Sequence, residues 1–289
     1  MADQLPDLSI LRRCWPTYAD AASTHPVLVN GERFGGERPV VIAGPCAVES
    51  YEQTLAIARS VVAAGGRLLR GGVFKPRTNP HSFQGLREEG LEILAEVRRQ
   101  TGIGIVTEVM DPRLVELVAD TADMIQIGSR SMQSFPLLTE VGRTSKPVLL
   151  KRGWSATLEE WLGAAEYIAM EGNRDIVLCE RGIRASCHSS YARNVLDLNI
   201  IEPVRKATPL PIIVDPSHAT GQWNLVAALC RASLAAGAHG LLIEVVQDGV
   251  NRGQLLSDGE QGIPRDVLEE IMDEVKQTRV PTPGAVPAA

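Results

Sequence analysis

The sequence predicts an α/β protein with a single (β/α)8 TIM barrel and a short N-terminal extension, and three observations support this prediction. Eight short aliphatic or β-branched segments follow one another between residues 39 and 246. Amphipathic segments of helical periodicity alternate with them, which is typical of βα units and a parallel sheet. Segment after segment ends in a polar or charged group, as expected where the loops of a barrel converge on one site.

The strand candidates are aliphatic runs bounded by Gly, Pro or charged residues. In chain order they are residues 39–46, 67–73, 103–109, 124–129, 147–153, 175–182, 211–218 and 240–246. The helical patterns that follow them are residues 50–65, 86–100, 111–121, 135–143, 157–172, 198–208, 222–237 and 264–276. A doubly wound sheet shows similar alternation but concentrates its polar strand ends at one switch point. Because polar ends here recur around all the strands, the barrel is favoured.

The domain organisation follows from the same pattern. Residues 1–37 are rich in proline and glycine and are predicted to form an extension rather than a domain. Residues 38–279 form the predicted barrel, which agrees with the roughly 250 residues that such barrels typically take. The Pro- and Ala-rich residues 280–289 are expected to be disordered.

Composition narrows the class of protein. The formal charge of −6 and the pI near 5.5 disfavour a nucleic-acid-binding surface. Five cysteines without paired spacing indicate a reducing compartment rather than a disulfide framework. Neither a signal peptide nor an apolar run of membrane-spanning length is present, so a cytoplasmic protein without membrane partners is expected.

Four residues at strand or loop ends have metal-ligating side chains: Cys46, His218, Glu244 and Asp258. A thiolate, an imidazole and two carboxylates suit Mn²⁺, Fe²⁺, Co²⁺ or Zn²⁺, whereas the thiolate argues against Mg²⁺ and Ca²⁺. Taken alone, Cys46 is more often a small buried core residue, and His218 is as often structural as functional. Taken together, the four residues favour a divalent metal site.

Basic residues also collect at or just beyond the predicted strand ends. They are Arg70, Lys75, Arg77, Arg130, Lys151, Arg152, Arg181 and Arg184. Arginine forks suit phosphate and carboxylate groups, and lysine acts as a movable point charge. A solvated rim explains any one of these residues, and for Arg152 and Arg184 this interpretation stays open. The whole cluster in an acidic chain indicates phosphorylated, anionic substrates.

The segment RGGVFKPRTNP (70–80) combines a glycine pair with donors in a short loop. Glycine permits backbone paths closed to other residues, and Lys75, Arg77 and Thr78 together suit a phosphoryl group. Interpreted as a turn alone, the segment leaves Lys75 and Arg77 unexplained. Glu108 and Asp215 end two further strands and are able to orient cations or act on protons.

Eight motifs occur along the chain in order: GPCAVES, RGGVFKPRTNPHSFQG, VTEVMDP, QIGSRSMQ, VLLKRG, CERGIR, VDPSHATG and LSDG. Together they resemble one known family, 3-deoxy-D-arabino-heptulosonate 7-phosphate (DAHP) synthase, in particular its type I beta branch, and the resemblance spans about residues 39–275. It implies a metal-dependent aldol-type condensation of phosphoenolpyruvate with erythrose 4-phosphate, the first step of the shikimate pathway. Homodimers or homotetramers are also implied, and a regulatory partner such as chorismate mutase stays open.

The resemblance implies a role for each matching residue. The metal would be bound by Cys46, His218, Glu244 and Asp258. Phosphoenolpyruvate would be bound by Arg70, Lys75, Arg130, Lys151 and Arg181, with Glu108 nearby. The sugar phosphate would be bound by Arg77 and Thr78, and Asp215 would lie by the erythrose hydroxyls. Lys75, His218 and Cys46 would be catalytic. Lys75 would donate a proton to the new alkoxide, and crowding by cations predicts that its pKa is lower than that of a free lysine.

The chain also departs from the family pattern. Residues 183–198 (IRASCHSSYARNVLDL) are two residues longer than the usual IRTFETATRNTLDL, and Asn79 and His81 replace the usual Ser and Tyr. These differences keep open an altered four-carbon aldose in a specialised pathway. A second alternative is 3-deoxy-D-manno-octulosonate 8-phosphate synthase, which accepts arabinose 5-phosphate, although its lysine loop resembles KANRSS rather than KPRTNP. A third is a non-catalytic paralogue that binds a partner protein.

Overall fold

Eight parallel strands close into a barrel in the computed structural model, which describes residues 23–75, 77, 79–185, 193–257 and 259–281. A preceding hairpin consists of β1 (Val27–Val29) and β2 (Glu32–Phe34). The barrel strands are β3 (Val40–Gly44), β4 (Leu68–Arg70), β5 (Gly104–Glu108), β6 (Met124–Ile127), β7 (Val148–Lys151), β8 (Ile176–Glu180), β9 (Ile212–Val214) and β10 (Gly240–Glu244). Strand β10 pairs with both β3 and β9, which closes the barrel. The predicted (β/α)8 fold is confirmed.

Every residue of the eight barrel strands is buried, which explains why they appear in the sequence as nearly continuous aliphatic runs. The space inside the barrel is filled by side chains such as Ile42, Leu68, Val106 and Met124. A second, larger apolar layer lies between the strands and the surrounding helices. The interior is therefore a packed core, and chemistry is confined to the barrel ends.

Nine α-helices occur in the described part of the chain. They are α1 (Tyr51–Ala63), α2 (Glu88–Thr101), α3 (Val115–Thr121), α4 (Phe135–Gly142), α5 (Leu158–Met170), α6 (Ile201–Ala207), α7 (Pro216–Thr220), α8 (Trp223–Ala235) and α9 (Arg265–Gln277). Local sequence fixes several ends: the Ser50 hydroxyl accepts a hydrogen bond from Gln53 N at 3.1 Å, and Thr157 with Glu160 forms a capping box. Short 3₁₀ turns cover Pro112–Leu114, Leu198–Ile200, Arg252–Gln254 and Gly259–Gln261.

The predicted strand 211–218 is too long, because β9 ends at Val214 and helix α7 follows. The Asp215 carboxylate accepts a hydrogen bond from His218 N at 3.0 Å, and Pro216 occupies the first helical position. An acidic N-cap followed by proline is a helix-start signal. His218 therefore projects from a short helix rather than from the end of a strand.

The hairpin was not predicted from the sequence. Asn30 and Gly31 have positive φ angles of 46° and 83°, as the Asn-Gly pair of a tight hairpin turn requires. The Asn30 side chain donates to Arg67 O and Gly102 O, which precede β4 and β5, so the hairpin lies at the amino-terminal end of the barrel. Its buried side chains join the core inside the barrel and close that end, opposite the candidate site.

No α-helix in the described ranges has the length and apolarity needed to cross a bilayer. Most of the predicted extension (residues 1–22) and most of the predicted disordered tail (residues 282–289) lie outside the described residues. Of the two described tail residues, Val280 donates a backbone hydrogen bond to Glu37 O at 2.9 Å.

Candidate active site

The carboxyl ends of the strands surround a cavity of about 300 Å³. Its cationic lining residues are Arg70, Lys75, Arg77, Arg130, Lys151, Arg181, Arg184 and Arg193, and the other lining residues are Glu108, Gln126, Gly128, Ser129, Trp154, Asn194 and His218. Among the described lining residues, eight basic side chains thus face a single carboxylate, although the chain as a whole is acidic. The cavity is suited to an anion with several negative charges.

Three of the predicted metal ligands come together beside this cavity. One ligand atom each from Cys46, His218 and Glu244 lies within 4.8 Å of the other two. Cys46 follows β3, His218 follows β9 and Glu244 ends β10, so three neighbouring strands place them. The fourth predicted ligand, Asp258, lies outside the described residues, as does Thr78.

His218 is in the state that a metal ligand needs. Burial lowers its pKa to about 4, although the carboxylates of Asp215 and Glu244 act in the opposite direction. At neutral pH the ring is therefore neutral and keeps a lone pair for coordination. Its Nε2 lies 3.3 Å from Glu244 Oε1, and its Nδ1 lies 2.7 Å from Asp215 Oδ2. The second contact has the distance but not the alignment of a hydrogen bond.

The Glu244 carboxylate is oriented by two donors. Arg70 Nη1 donates to its Oε1 at 2.6 Å, and Gln261 Nε2 donates to its Oε2 at 2.5 Å. Hydrogen bonds from residues that are not themselves metal ligands hold a carboxylate in one orientation and adjust how strongly it binds a cation.

The Cys46 sulfur also has two nearby donors. Ser257 Oγ and Lys75 Nζ each lie 3.1 Å from Sγ, and Lys75 Nζ also donates to Cys46 O at 3.0 Å. Burial by itself would lower the pKa of Lys75, but Cys46, Glu108 and Glu244 outweigh it and raise this pKa, with Arg70 opposing. The protein groups therefore act against the predicted lowering, because nearby anions outweigh Arg70, and the lowering by a bound cation stays a prediction.

Asp215 is fully buried and does not line the cavity. Its Oδ2 accepts a hydrogen bond from Lys151 Nζ at 2.7 Å. Burial opposes ionisation, but the charges of Lys151 and Arg70 hold the pKa of Asp215 well below its usual range. Asp215 thus lies in contact with both Lys151 and His218, and its contact with sugar hydroxyls stays a prediction.

Glu108 presents a carboxylate oxygen that a ligand is able to use. Gln126 Nε2 donates to its Oε2 at 3.2 Å, while the buried Oε1 has no hydrogen-bond partner among the described residues. Gly128 makes room for it, because a Cβ at that position would lie 2.0 Å from Oε1. A buried acceptor that lines a cavity indicates a ligand donor, such as a hydroxyl group.

Arg152 and Arg184, for which the sequence left both a solvated and a functional position open, differ in their surroundings. Arg152 is buried and binds Glu180 at 3.0 Å and Asp197 at 2.8 Å, so its position favours a structural role. Arg184 lines the cavity.

The sequence did not predict that Trp154, Arg193 and the small polar residues line the cavity. For Arg193, a basic residue in the segment that follows β8 was the one feature of the sequence that pointed to the site.

Comparisons with known proteins show what the chain is similar to. Residues 23–282 match the model of the DAHP synthetase I family. Phospho-2-dehydro-3-deoxyheptonate aldolase of Thermotoga maritima is 46% identical over 245 residues, covering 85% of this chain and 71% of the relative. A 2-dehydro-3-deoxyphosphooctonate aldolase of Syntrophotalea carbinolica is 34% identical over 261 residues, covering 84% and 91%.

Solved structures give the same result. The crystal structure of the Thermotoga maritima DAHP synthase superposes with a TM-score of 0.83 at 42% identity, covering 92% of this chain and 75% of that one. A truncated form of the same synthase gives a TM-score of 0.80 at 39% identity and covers 92% and 94%. With the barrel and the cationic cavity described above, these matches show that the chain belongs to the DAHP synthetase I family.

Proposed function

We propose that the protein condenses phosphoenolpyruvate with erythrose 4-phosphate to give 3-deoxy-D-arabino-heptulosonate 7-phosphate and inorganic phosphate, with a divalent metal ion as cofactor. One observation carries the proposal: a cavity with eight basic side chains lies directly beside a thiol, an imidazole and a carboxylate within 4.8 Å of one another. Two phosphorylated substrates require the positive charge, and carbonyl chemistry makes use of the metal site.

Phosphoenolpyruvate carries both a phosphate and a carboxylate, and the buried cations at the cavity floor suit both groups. Arg70, Lys151 and Arg181 are each less than a tenth exposed. Because water is largely excluded there, charge-assisted hydrogen bonds to the substrate are stronger than at the surface. Arg77, nearer the rim, with Thr78 next to it in the chain, would bind the phosphate of the sugar.

Cys46, His218 and Glu244, with Asp258, would hold the metal ion. A divalent cation bound there supplies Lewis acidity that polarises the aldehyde oxygen. C3 of phosphoenolpyruvate attacks C1 of the sugar, and Lys75, whose raised pKa keeps it protonated, donates a proton to the resulting alkoxide oxygen. Water then adds at C2, and phosphate leaves.

The choice of aldose rests on two observations. The heptonate aldolase relative is 46% identical, whereas the octonate aldolase relative is 34% identical. The lysine loop also has the sequence KPRTNP, which keeps KPRT and differs from KANRSS. These favour a four-carbon aldose phosphate, and the altered residues 183–198 make a modified four-carbon aldose the second candidate.

The test is to identify the product formed from phosphoenolpyruvate with a panel of aldose phosphates, with and without a chelator. We expect the highest kcat/KM with erythrose 4-phosphate and loss of turnover with the chelator. A preference for arabinose 5-phosphate would contradict the proposed substrate. Absence of phosphate release with every aldose, in protein loaded with Mn²⁺, would favour the non-catalytic paralogue.

A further inference from the structure

Trp154, which follows β7, lies beneath two guanidinium groups of the cavity. The guanidinium carbon of Arg130 is 4.5 Å from the centroid of the indole ring, and that of Arg184 is 4.4 Å from it. Arg130 follows β6 and Arg184 follows β8, so the indole bridges cations from the strands on both sides of its own. All three residues line the same cavity.

A backbone contact reinforces this arrangement. Arg184 N donates a hydrogen bond to Trp154 O at 2.7 Å, which ties the loop after β8 to the loop after β7. Arg184 therefore contacts Trp154 through both its backbone and its side chain.

The indole contacts the Arg184 guanidinium without cancelling its charge. Arg152, two residues before Trp154, is held by the carboxylates of Glu180 and Asp197 and does not line the cavity. In the described ranges, Arg184 has no carboxylate within ion-pair distance and instead rests on an aromatic face. A ring quadrupole attracts a guanidinium but carries no net charge, so the positive charge remains available to an anion.

A second cavity shows why such positioning matters. A space of about 330 Å³ is lined by Met132, Gln133, Ser155 and other residues, and Arg130 and Trp154 line both this space and the main cavity. Arg130 thus lies between the two spaces. A contact with the indole is expected to keep its guanidinium at the main cavity.

We propose that Trp154 is a positioning residue that holds Arg130 and Arg184 as a pair on the phosphate group of phosphoenolpyruvate. The inference rests on the proposed function, because it takes phosphoenolpyruvate as the anion. What it adds is a role for a neutral aromatic residue, which positions two cations that lie on different loops.

Two variants test the role of the indole face. Trp154→Leu removes the aromatic face and should raise the KM for phosphoenolpyruvate by roughly 5- to 30-fold, as expected for loss of two cation–π contacts, while kcat changes by less than about twofold. Trp154→Phe keeps a weaker face and should restore part of this loss. Tyr167→Leu, which removes a half-exposed aromatic ring outside the cavity, should leave KM unchanged.

A double-mutant cycle with Arg184→Gln tests whether Trp154 acts through the arginine. We expect the fold increase in KM of the double variant Trp154→Leu/Arg184→Gln to be well below the product of the fold increases of the two single variants. The reason is that the second substitution removes a contact that the first has already removed. Multiplying effects would overturn the inference, as would a rise confined to the KM for erythrose 4-phosphate. The inference would also be overturned if Trp154→Leu lowered kcat by the same factor by which it raised KM and Trp154→Phe restored neither.

Calorimetric titration of phosphoenolpyruvate separates this inference from the proposed function. Wild-type protein that neither binds phosphoenolpyruvate nor turns it over overturns both. Wild-type protein that binds and turns it over, with Trp154→Leu indistinguishable from it, overturns the inference and leaves the proposed function in place.

Discussion

Arg70 and Glu244, 174 residues apart in the chain, form an ion pair of 2.6 Å in which the two side chains are only 5% and 2% exposed. The pair joins the end of β4 to the end of β10. It also connects a cation of the cavity to a candidate metal ligand. In the proposed function, substrate binding and metal binding would therefore share one buried contact.

Breaking this pair should destabilise the fold as well as the site. Arg70→Met leaves the Glu244 carboxylate buried without its counter-charge, and we expect the free energy of unfolding to fall by about 3–5 kcal/mol. Urea denaturation measures the change. Arg99→Met is the matched control, because Arg99 pairs with Glu96 at the same 2.6 Å but on the surface, and its effect should be close to zero. Equal effects of the two substitutions would contradict the buried-pair argument.

Removing the thiol should remove the metal. Cys46→Ser replaces a soft ligand by a hydroxyl, and we expect the metal content after dialysis to fall at least about tenfold, with activity lost in parallel. Elemental analysis of the dialysed protein measures this without reference to turnover. Cys230→Ala changes a buried thiol on α8, outside the cluster, and should retain the metal. Full metal content in Cys46→Ser would exclude Cys46 as a ligand.

Lys75 should be needed for chemistry more than for binding. Lys75→Met removes the proton donor beside Cys46, and we expect kcat to fall by about 10²- to 10⁴-fold. Phosphoenolpyruvate binding, measured by calorimetry, should remain detectable because seven other cations line the cavity. Turnover retained by this variant would rule out the role of Lys75 as proton donor.

His239 should contribute to the acid sensitivity of the fold. Burial and nearby Arg205 lower its pKa to about 4, and its Nδ1 accepts a hydrogen bond from Ile212 N at 3.1 Å, which requires the neutral ring. The unfolded chain therefore binds the proton first, so this contribution to stability is lost as the pH falls from about 6.5 toward 4.

We expect His239→Asn to flatten the stability–pH profile between pH 6 and pH 4 by up to about 1.4 kcal/mol per pH unit. Urea denaturation at several pH values provides the measurement. His81→Asn, at an exposed position, should leave the profile unchanged. Parallel profiles for wild-type protein and His239→Asn would show that the ring does not stay neutral in the fold.

Local sequence patterns predicted the barrel because buried parallel strands are continuous aliphatic runs and the helices keep their periodicity. They did not predict β1 and β2, since three-residue strands give almost no periodic signal despite the Asn30-Gly31 turn.

The site was predictable only in part. Residues with metal-ligand chemistry at strand ends, such as Cys46 and Glu244, are visible in the sequence, and the closed barrel places them together with His218. The contrast between Arg152 and Arg184 is not visible, because it depends on where separate loops place Glu180, Asp197 and Trp154. Contacts between loops of different strands require the three-dimensional fold.

Crystals of the protein grown with Mn²⁺ and phosphoenolpyruvate, measured at a wavelength where manganese scatters anomalously, test the central claim most directly. The account predicts one anomalous peak within bonding distance of Cys46 Sγ, an imidazole nitrogen of His218 and a Glu244 carboxylate oxygen, with phosphoenolpyruvate in the adjacent cationic cavity. A manganese peak bound elsewhere, or phosphoenolpyruvate ordered outside that cavity, would contradict it.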